Sequence, residues 1–336
     1  LNHDGWLSAA LNGGHAYQDR VAVDSGSVAA YYAACHPHSS LTVWQERLAA
    51  GEILRNGERL HHDRPLCAGD HLIWHRPPWQ EGAIPATWRV VHEEGDLHVI
   101  DKPAGLPVLP AGGWLEHTAL RLLAHRHRHD PQGVPRPVHR LGRFTSGLLV
   151  CARQGATRRW LSARLRESTA ALEVHPQPQT GDPLGCCKVY QALLVAEGLP
   201  ATMGPGETLT IDRPIGRRPH PRLGQIWCAA QEARAGDLSA RSLLTLLERG
   251  PEGDRVEVSI ASGRPHQIRI HCAAIGAPLR GDPLYLPGGL ARPDALPGEG
   301  GYQLRAERLT MRRPDGSWLR LEAGQPQQRL SNTTAS

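Results

Sequence analysis

Cations and aromatic rings able to hold a polyanion gather in three short stretches of this chain. The first is His139-Arg140-Leu141-Gly142-Arg143. The second is Gly263-Arg264-Pro265-His266-Gln267-Ile268-Arg269-Ile270-His271, followed by Gly281-Asp282-Pro283-Leu284-Tyr285. The third is Lys188-Val189-Tyr190. Arginine forks match phosphate, and a tyrosine offers a face on which a base can stack. Taken singly, an arginine on a helix is more often solvated and a tyrosine in an apolar strand is more often core. Other chemistries are poorly supplied. Ser146 has no G-x-S-x-G context to activate it, and Arg143 stays protonated and cannot act as a base. His125 and His129 share a helix face, but only Asp130 accompanies them, so a solvated basic helix end is expected there and no metal. No G-x-x-x-x-G-K or G-x-G-x-x-G occurs, which leaves nucleotide cofactors unsupported.

The elements that must carry these residues can be read from periodicity. Leu41, Trp44 and Leu48 repeat at helical spacing behind Ser40 as N-cap, and Gly51 ends that helix. Ile53 to Leu60 reads as a hairpin about Asn56-Gly57, and His71 to Trp74 as a strand. Arg47, Arg55, Arg59 and Arg64 are expected to share an exposed basic face. Residues 1 to about 35 carry no strong signal. Strands are expected at 88–92, 97–101, 148–152, 189–196, 208–211, 243–247 and 256–260, with helices at 118–129 and 156–166. The second stretch reads as a helix with Pro265 in its first turn and Gly276 just past its end. Strands dominate without βαβ repetition, so the class is α+β with a mixed, largely antiparallel sheet. The expected organisation is a small N-terminal region at 1–80, a linker at 81–87 and a larger domain at 88–323. That domain carries a Pro- and Gln-rich loop insertion at 174–185, and a disordered polar tail follows at 324–336.

The 336 residues carry a formal charge of +5, and arginine far outnumbers lysine, which favours a polyanionic partner. Seven scattered cysteines without a C-x-x-C pair argue against a disulfide framework or a zinc site and fit the reducing cytoplasm. No apolar run approaches the ~18 residues needed to span a bilayer, and no secretory signal opens the chain.

The three stretches, together with Ile100-Asp101-Lys102-Pro103-Ala104-Gly105-Leu106, resemble the RluA family of pseudouridine synthases from about Trp88 to Glu322. The order from Ser40 to Trp74 resembles the small S4-like RNA-binding module often fused to such enzymes. The resemblance implies isomerisation of uridine in structured RNA, ribosomal or transfer, with neither metal nor redox cofactor. The base is cut from its ribose, rotated and rejoined through carbon, and the target nucleotide must leave its stack. One carboxylate acts beside the sugar, and in the family it is the aspartate of H-R-L-D. Gly142 stands at that position here. By the same matching, Arg269 is the arginine that pairs with the aspartate and Tyr190 the ring that stacks on the base. Arg140 is placed to hold phosphate or the gap left by a flipped base. His139, Arg264, His266, Gln267, Arg47, Arg55 and Arg59 complete the expected RNA contacts. Asp101 and Asp282 are carboxylates without a reason in the sequence to act as catalyst.

Two function classes follow. One is a pseudouridine synthase, which requires another carboxylate to reach the sugar. The other is an RNA-binding protein of the same fold that has lost the bond-breaking step and serves ribosome assembly or RNA folding. A hydrolase reusing the fold lacks a nucleophile and base here.

Overall fold

The structure is a computed structural model that describes residues 5–174, 186–260 and 263–324. The first part of the chain forms β1 (His15–Arg20), β2 (Ser25–Ser27), α1 (Val28–Cys35), α2 (Leu41–Ala49), β3 (Ile53–Arg55), β4 (Glu58–Arg59), β5 (Pro65–Leu66) and β6 (His71–Arg76). Four of these strands make an antiparallel sheet in the order β1-β6-β3-β4. The Ser40 side chain caps α2 by accepting from the Val43 N–H. Asn56 (φ 51°) and Gly57 (φ 85°) take the left-handed backbone that lets β3 turn into β4. Trp44, Tyr32, Leu48, Ile53 and Leu72 build a separate apolar core. Four elements here, β1, β2, α1 and β5, had no sequence signal. In α1, Val-Ala-Ala-Tyr-Tyr-Ala-Ala-Cys is apolar all round, so no stripe marks its buried face.

The larger part follows with β7 (Arg89–Glu94), β8 (Leu97–Lys102), α3 (Ala119–Arg126), β9 (Arg136–Pro137), β10 (Thr145–Ala152) and α4 (Gly155–Val174). Then come β11 (Cys186–Leu194), β12 (Thr208–Asp212), β13 (Ile215–His220), β14 (Gly224–Ala229), β15 (Arg241–Gly250) and β16 (Gly253–Ile260). The described chain closes with α5 (Gln267–Ala274), β17 (Leu304–Arg312) and β18 (Trp318–Glu322). The central sheet runs β12-β15-β16-β11-β17-β10-β8-β7, with β18 on β17 and β9 on β10. Among the described residues only the β10–β17 pair is parallel, so the sheet is mixed and largely antiparallel, as expected. The β13–β14 hairpin and β17–β18 were not read from the sequence; in β13 Arg217 and Arg218 stand side by side, and in β17 Glu307 and Arg308 do, which breaks the apolar alternation of those two strands. The loop insertion expected at 174–185 and the tail after Gly324 lie outside the described residues, apart from Val174, which ends α4.

Residues 6–12 do not stay with the small unit that was expected to run from residue 1. Trp6 stacks on His125 and accepts at its carbonyl from Arg126 at 2.9 Å, and Asn12 donates to Glu81 at 2.7 Å. Glu81 in turn accepts from the backbone N–H groups of Leu115 and His117, both at 2.9 Å, so the expected linker is pinned at its first residue. Pro265 also needs a correction. It precedes the N-cap, His266, and therefore lies outside the first turn of α5, whereas Gly276 (φ 88°) does follow its end.

Candidate functional site

The loop carrying Arg140 and Gly142 connects β9 to β10 and is fixed from below by a buried lysine. Lys102 Nζ donates to the carbonyls of Pro103 (2.9 Å), Leu106 (2.8 Å) and Arg143 (3.0 Å). The Arg143 guanidinium closes the same joint, donating to Gly105 O at 3.0 Å and stacking 3.9 Å from the centre of the Trp114 ring. Burial first, and then the Arg143 charge, pushes the Lys102 ammonium down to about 7. The sequence quoted Lys102 only as part of a motif. Its three carbonyl partners come from residues up to 41 positions away, which no local pattern announces.

Across from this loop, α5 and strand β11 complete a cleft of about 780 Å³. His139, Arg140, Gly142, Lys188, Tyr190, Arg264, His266, Gln267 and Arg269 all line it, so the three stretches meet in space. The apolar wall includes Leu148 and Ile268. Tyr190 sits at a bulge in β11, half-buried between two apolar clusters, and burial pushes its phenol up to about 12.

Several expected contacts are spent within the protein. His139 Nε2 accepts from the Val150 N–H at 3.0 Å, and burial beside Lys188 pushes the ring down to about 4, so it is a neutral strand anchor. The Gln267 amide donates to Arg241 O at 2.9 Å and its oxygen accepts from the Arg264 N–H at 3.2 Å, leaving it buried structure. Arg264 is tied through Nε to Ser239 O at 2.9 Å. By contrast, Arg140 is exposed and makes no hydrogen bond or ion pair with the described residues.

Arg269 is buried, and a buried charge needs a partner. Asp282 supplies it through two bonds of 2.7 Å, Nε to Oδ2 and Nη2 to Oδ1. The guanidinium also lies 4.2 Å from the centre of the Tyr302 ring. Burial opposes its charge, but the Asp282 bonds and the tyrosines outweigh that and raise its pKa. The Tyr302 hydroxyl fills the space beside Gly142, where a Cβ would overlap it, and it lies 3.4 Å from Thr145 Oγ1. Tyr302 was not singled out in the sequence. It lies 160 positions from Gly142 and has no motif of its own.

No carboxylate lines the cleft among the described residues, whereas Arg140, Lys188, Arg264, Arg269 and Arg308 do. Asp282 is fully enclosed behind Arg269. Asp101 is held on β8 by Arg305 at 2.9 and 3.1 Å. Nor do the described residues contain a group of three or more His, Cys, Asp or Glu side chains placed to hold a metal.

Comparison with known proteins gives this geometry its context. Residues 96–274 match the pattern of the RNA pseudouridylate synthase family. The chain belongs to that family. It is 38% identical over 281 residues to an uncharacterized RNA pseudouridine synthase of Synechocystis, covering 83% of this chain and 87% of the relative. RNA pseudouridine synthase 5 of Arabidopsis thaliana is 33% identical, with 90% of this chain and 89% of the relative aligned. Ribosomal large subunit pseudouridine synthase D of Pseudomonas aeruginosa is 32% identical, with 74% and 69% aligned. The family's RNA pseudouridine synthases thus span most of the sheet described above, and their synthase pattern covers both the Gly142 loop and α5.

In the small unit the expected basic face is partly withdrawn. Arg47 stacks 4.2 Å from the Trp44 ring centre and 4.5 Å from that of Trp74, and Arg55 pairs with Asp70 at 2.8 Å. Arg59 and Arg64 remain exposed, with Arg59 donating to Gly51 O.

Proposed function

We propose that this chain holds a uridine of structured RNA, ribosomal RNA foremost, in the cleft and isomerises it very slowly or not at all. Gly142 takes the place of the family's sugar-facing aspartate, Tyr190 stacks on the base and Arg140 holds phosphate. The S4-like small unit adds RNA contacts through Arg59 and Arg64, and the protein works in the cytoplasm without a cofactor. The observation that carries this reading is the Arg269–Asp282 pair with the Tyr302 hydroxyl beside it. The arginine that would keep a nucleophilic carboxylate ionised is already neutralised, and the carboxylate's own place is occupied. Losing a catalytic nucleophile costs roughly 10⁴-fold or more in rate, so binding outlives turnover.

Tritium release from ribosomal RNA labelled at uridine carbon 5 tests the reading. The protein and Gly142→Asp alone should release little, the latter because its Cβ meets Tyr302. Gly142→Asp combined with Tyr302→Phe should release tritium. Robust release by the unaltered protein would overturn the proposal and point to a carboxylate that reaches the sugar by another route.

A further inference from the structure

We infer that His266 is a specificity residue of the cleft, accepting at Nε2 a hydrogen bond from a ribose 2′-hydroxyl of the bound RNA and so selecting RNA over DNA. This deepens the RNA-binding reading and rests on it. The backbone gives the first indication. His266 sits at φ 53°, ψ 21°, a left-handed conformation uncommon outside glycine and frequent at functional sites. It occupies the N-cap of α5 yet makes no capping bond with its side chain.

The ring is turned away from the helix end, and its Nδ1 lies 2.8 Å from the Tyr285 hydroxyl. That hydroxyl donates to the Trp227 carbonyl at 2.9 Å. A carbonyl only accepts, so the single phenolic hydrogen is committed to it, and the hydrogen between His266 and Tyr285 must sit on Nδ1. The tautomer is thereby fixed, and Nε2 carries a lone pair. Tyr285 is buried, which holds the relay rigid. Among the described residues Nε2 has no hydrogen-bond partner, and His266 is half-buried in the cleft wall. Burial, together with the Arg269 and Arg140 charges, pushes the ring down to about 3, so it stays a neutral acceptor at ordinary pH.

The neighbours give that acceptor its meaning. Arg140, Arg264, Arg269 and Lys188 offer only donors. The exposed Arg140 can hold phosphate, which RNA and DNA share, while Arg269 is committed to Asp282, and none of the four can accept a hydrogen bond from a sugar hydroxyl. His266 lines the cleft together with the exposed Arg140 and with Tyr190, and with Arg140 assigned to phosphate and Tyr190 to the base, the imidazole is assigned to the sugar between them. The 2′-hydroxyl is the donor there that distinguishes RNA from DNA.

Equilibrium binding by the full chain to a stem-loop RNA with an all-uridine loop, and to the same stem-loop with a 2′-deoxyuridine loop, tests this. The protein should prefer the ribose loop by about fivefold to tenfold, the range of one hydrogen bond. His266→Ala should abolish the preference with little change toward the deoxy loop. His266→Gln, whose Oε1 can accept, should keep part of it. Tyr285→Phe removes the acceptor for Nδ1–H and should weaken the preference, with thermal melting used to confirm that each variant is folded. A ribose preference that survives His266→Ala in a folded protein overturns the assignment. So does a protein that binds both loops equally, or one whose His266-dependent discrimination appears only with an N3-methyluridine loop. Failure to bind either loop would instead sink the RNA-binding reading itself, which the absolute affinities report separately from their ratio.

Discussion

The cleft and the small N-terminal unit both draw their cations from arginine, yet they use them in opposite ways. In the small unit Arg47 is laid over Trp44 and Trp74 and Arg55 is paired with Asp70, so charge helps to close a core. In the cleft one buried arginine, Arg269, has a dedicated acid, while Arg140 stands exposed without one. The difference teaches that arginine density does not locate a binding surface. What matters is whether aromatic rings and carboxylates nearby have already taken the guanidinium. The sequence contains only two lysines, Lys102 and Lys188, and both are pushed down chiefly by burial within the large unit.

The contrast can be broken hardest at Asp282. Asp282→Ala strands the buried Arg269 charge and should cost roughly 3–5 kcal/mol, read from chemical denaturation. Arg55→Ala leaves the buried Asp70 with its bonds from the Asn56 amide and the Cys67 N–H and should cost about 1 kcal/mol. Equal losses at the two sites would erase the distinction. Between them lies Gly142→Asp, whose Cβ must displace the Tyr302 hydroxyl, with an expected cost of about 1–3 kcal/mol that Tyr302→Phe should partly relieve.

Acid sharpens the comparison by region. His98, His139 and His271 are each pushed down to about 4, in every case chiefly by burial, and all three lie in the large unit. In the unfolded chain such rings take a proton near pH 6.5. Between those values the unfolded state binds more protons, so the stability present above about 6.5 declines as pH falls toward 4. Hydrogen exchange resolved by peptide should therefore show β10 and α5 losing protection before α2 does. The smallest effect concerns affinity. Arg140→Ala should weaken RNA binding severalfold and lower the slope of log affinity against log salt by about 1, whereas Arg47→Ala should leave that slope unchanged.

Much of this was legible because it is local. The Ser40 cap, the Asn56-Gly57 turn, the apolar runs of β8 and β10 and the alternation of β16 follow from neighbouring residues, and the sheet class follows from them. The family motifs also named Gly142, Tyr190 and Arg269 before their meeting in one cleft was visible. The use the protein itself makes of His139 and Gln267 was not legible. Their hydrogen bonds go to Val150 and to Arg241, and a side chain's polarity does not say which donor or acceptor the fold will bring to it.

The sequence alone determined that the chain is basic, α+β, built on pseudouridine synthase motifs and without a side chain at residue 142. Those properties belong to composition and short-range pattern. The partner of Arg269, the ring that fills the space beside Gly142 and the tautomer of His266 were decided only by tertiary structure. Each depends on two or three residues separated along the chain and brought together by packing, and a buried charge or polar atom accepts whichever partner that packing delivers.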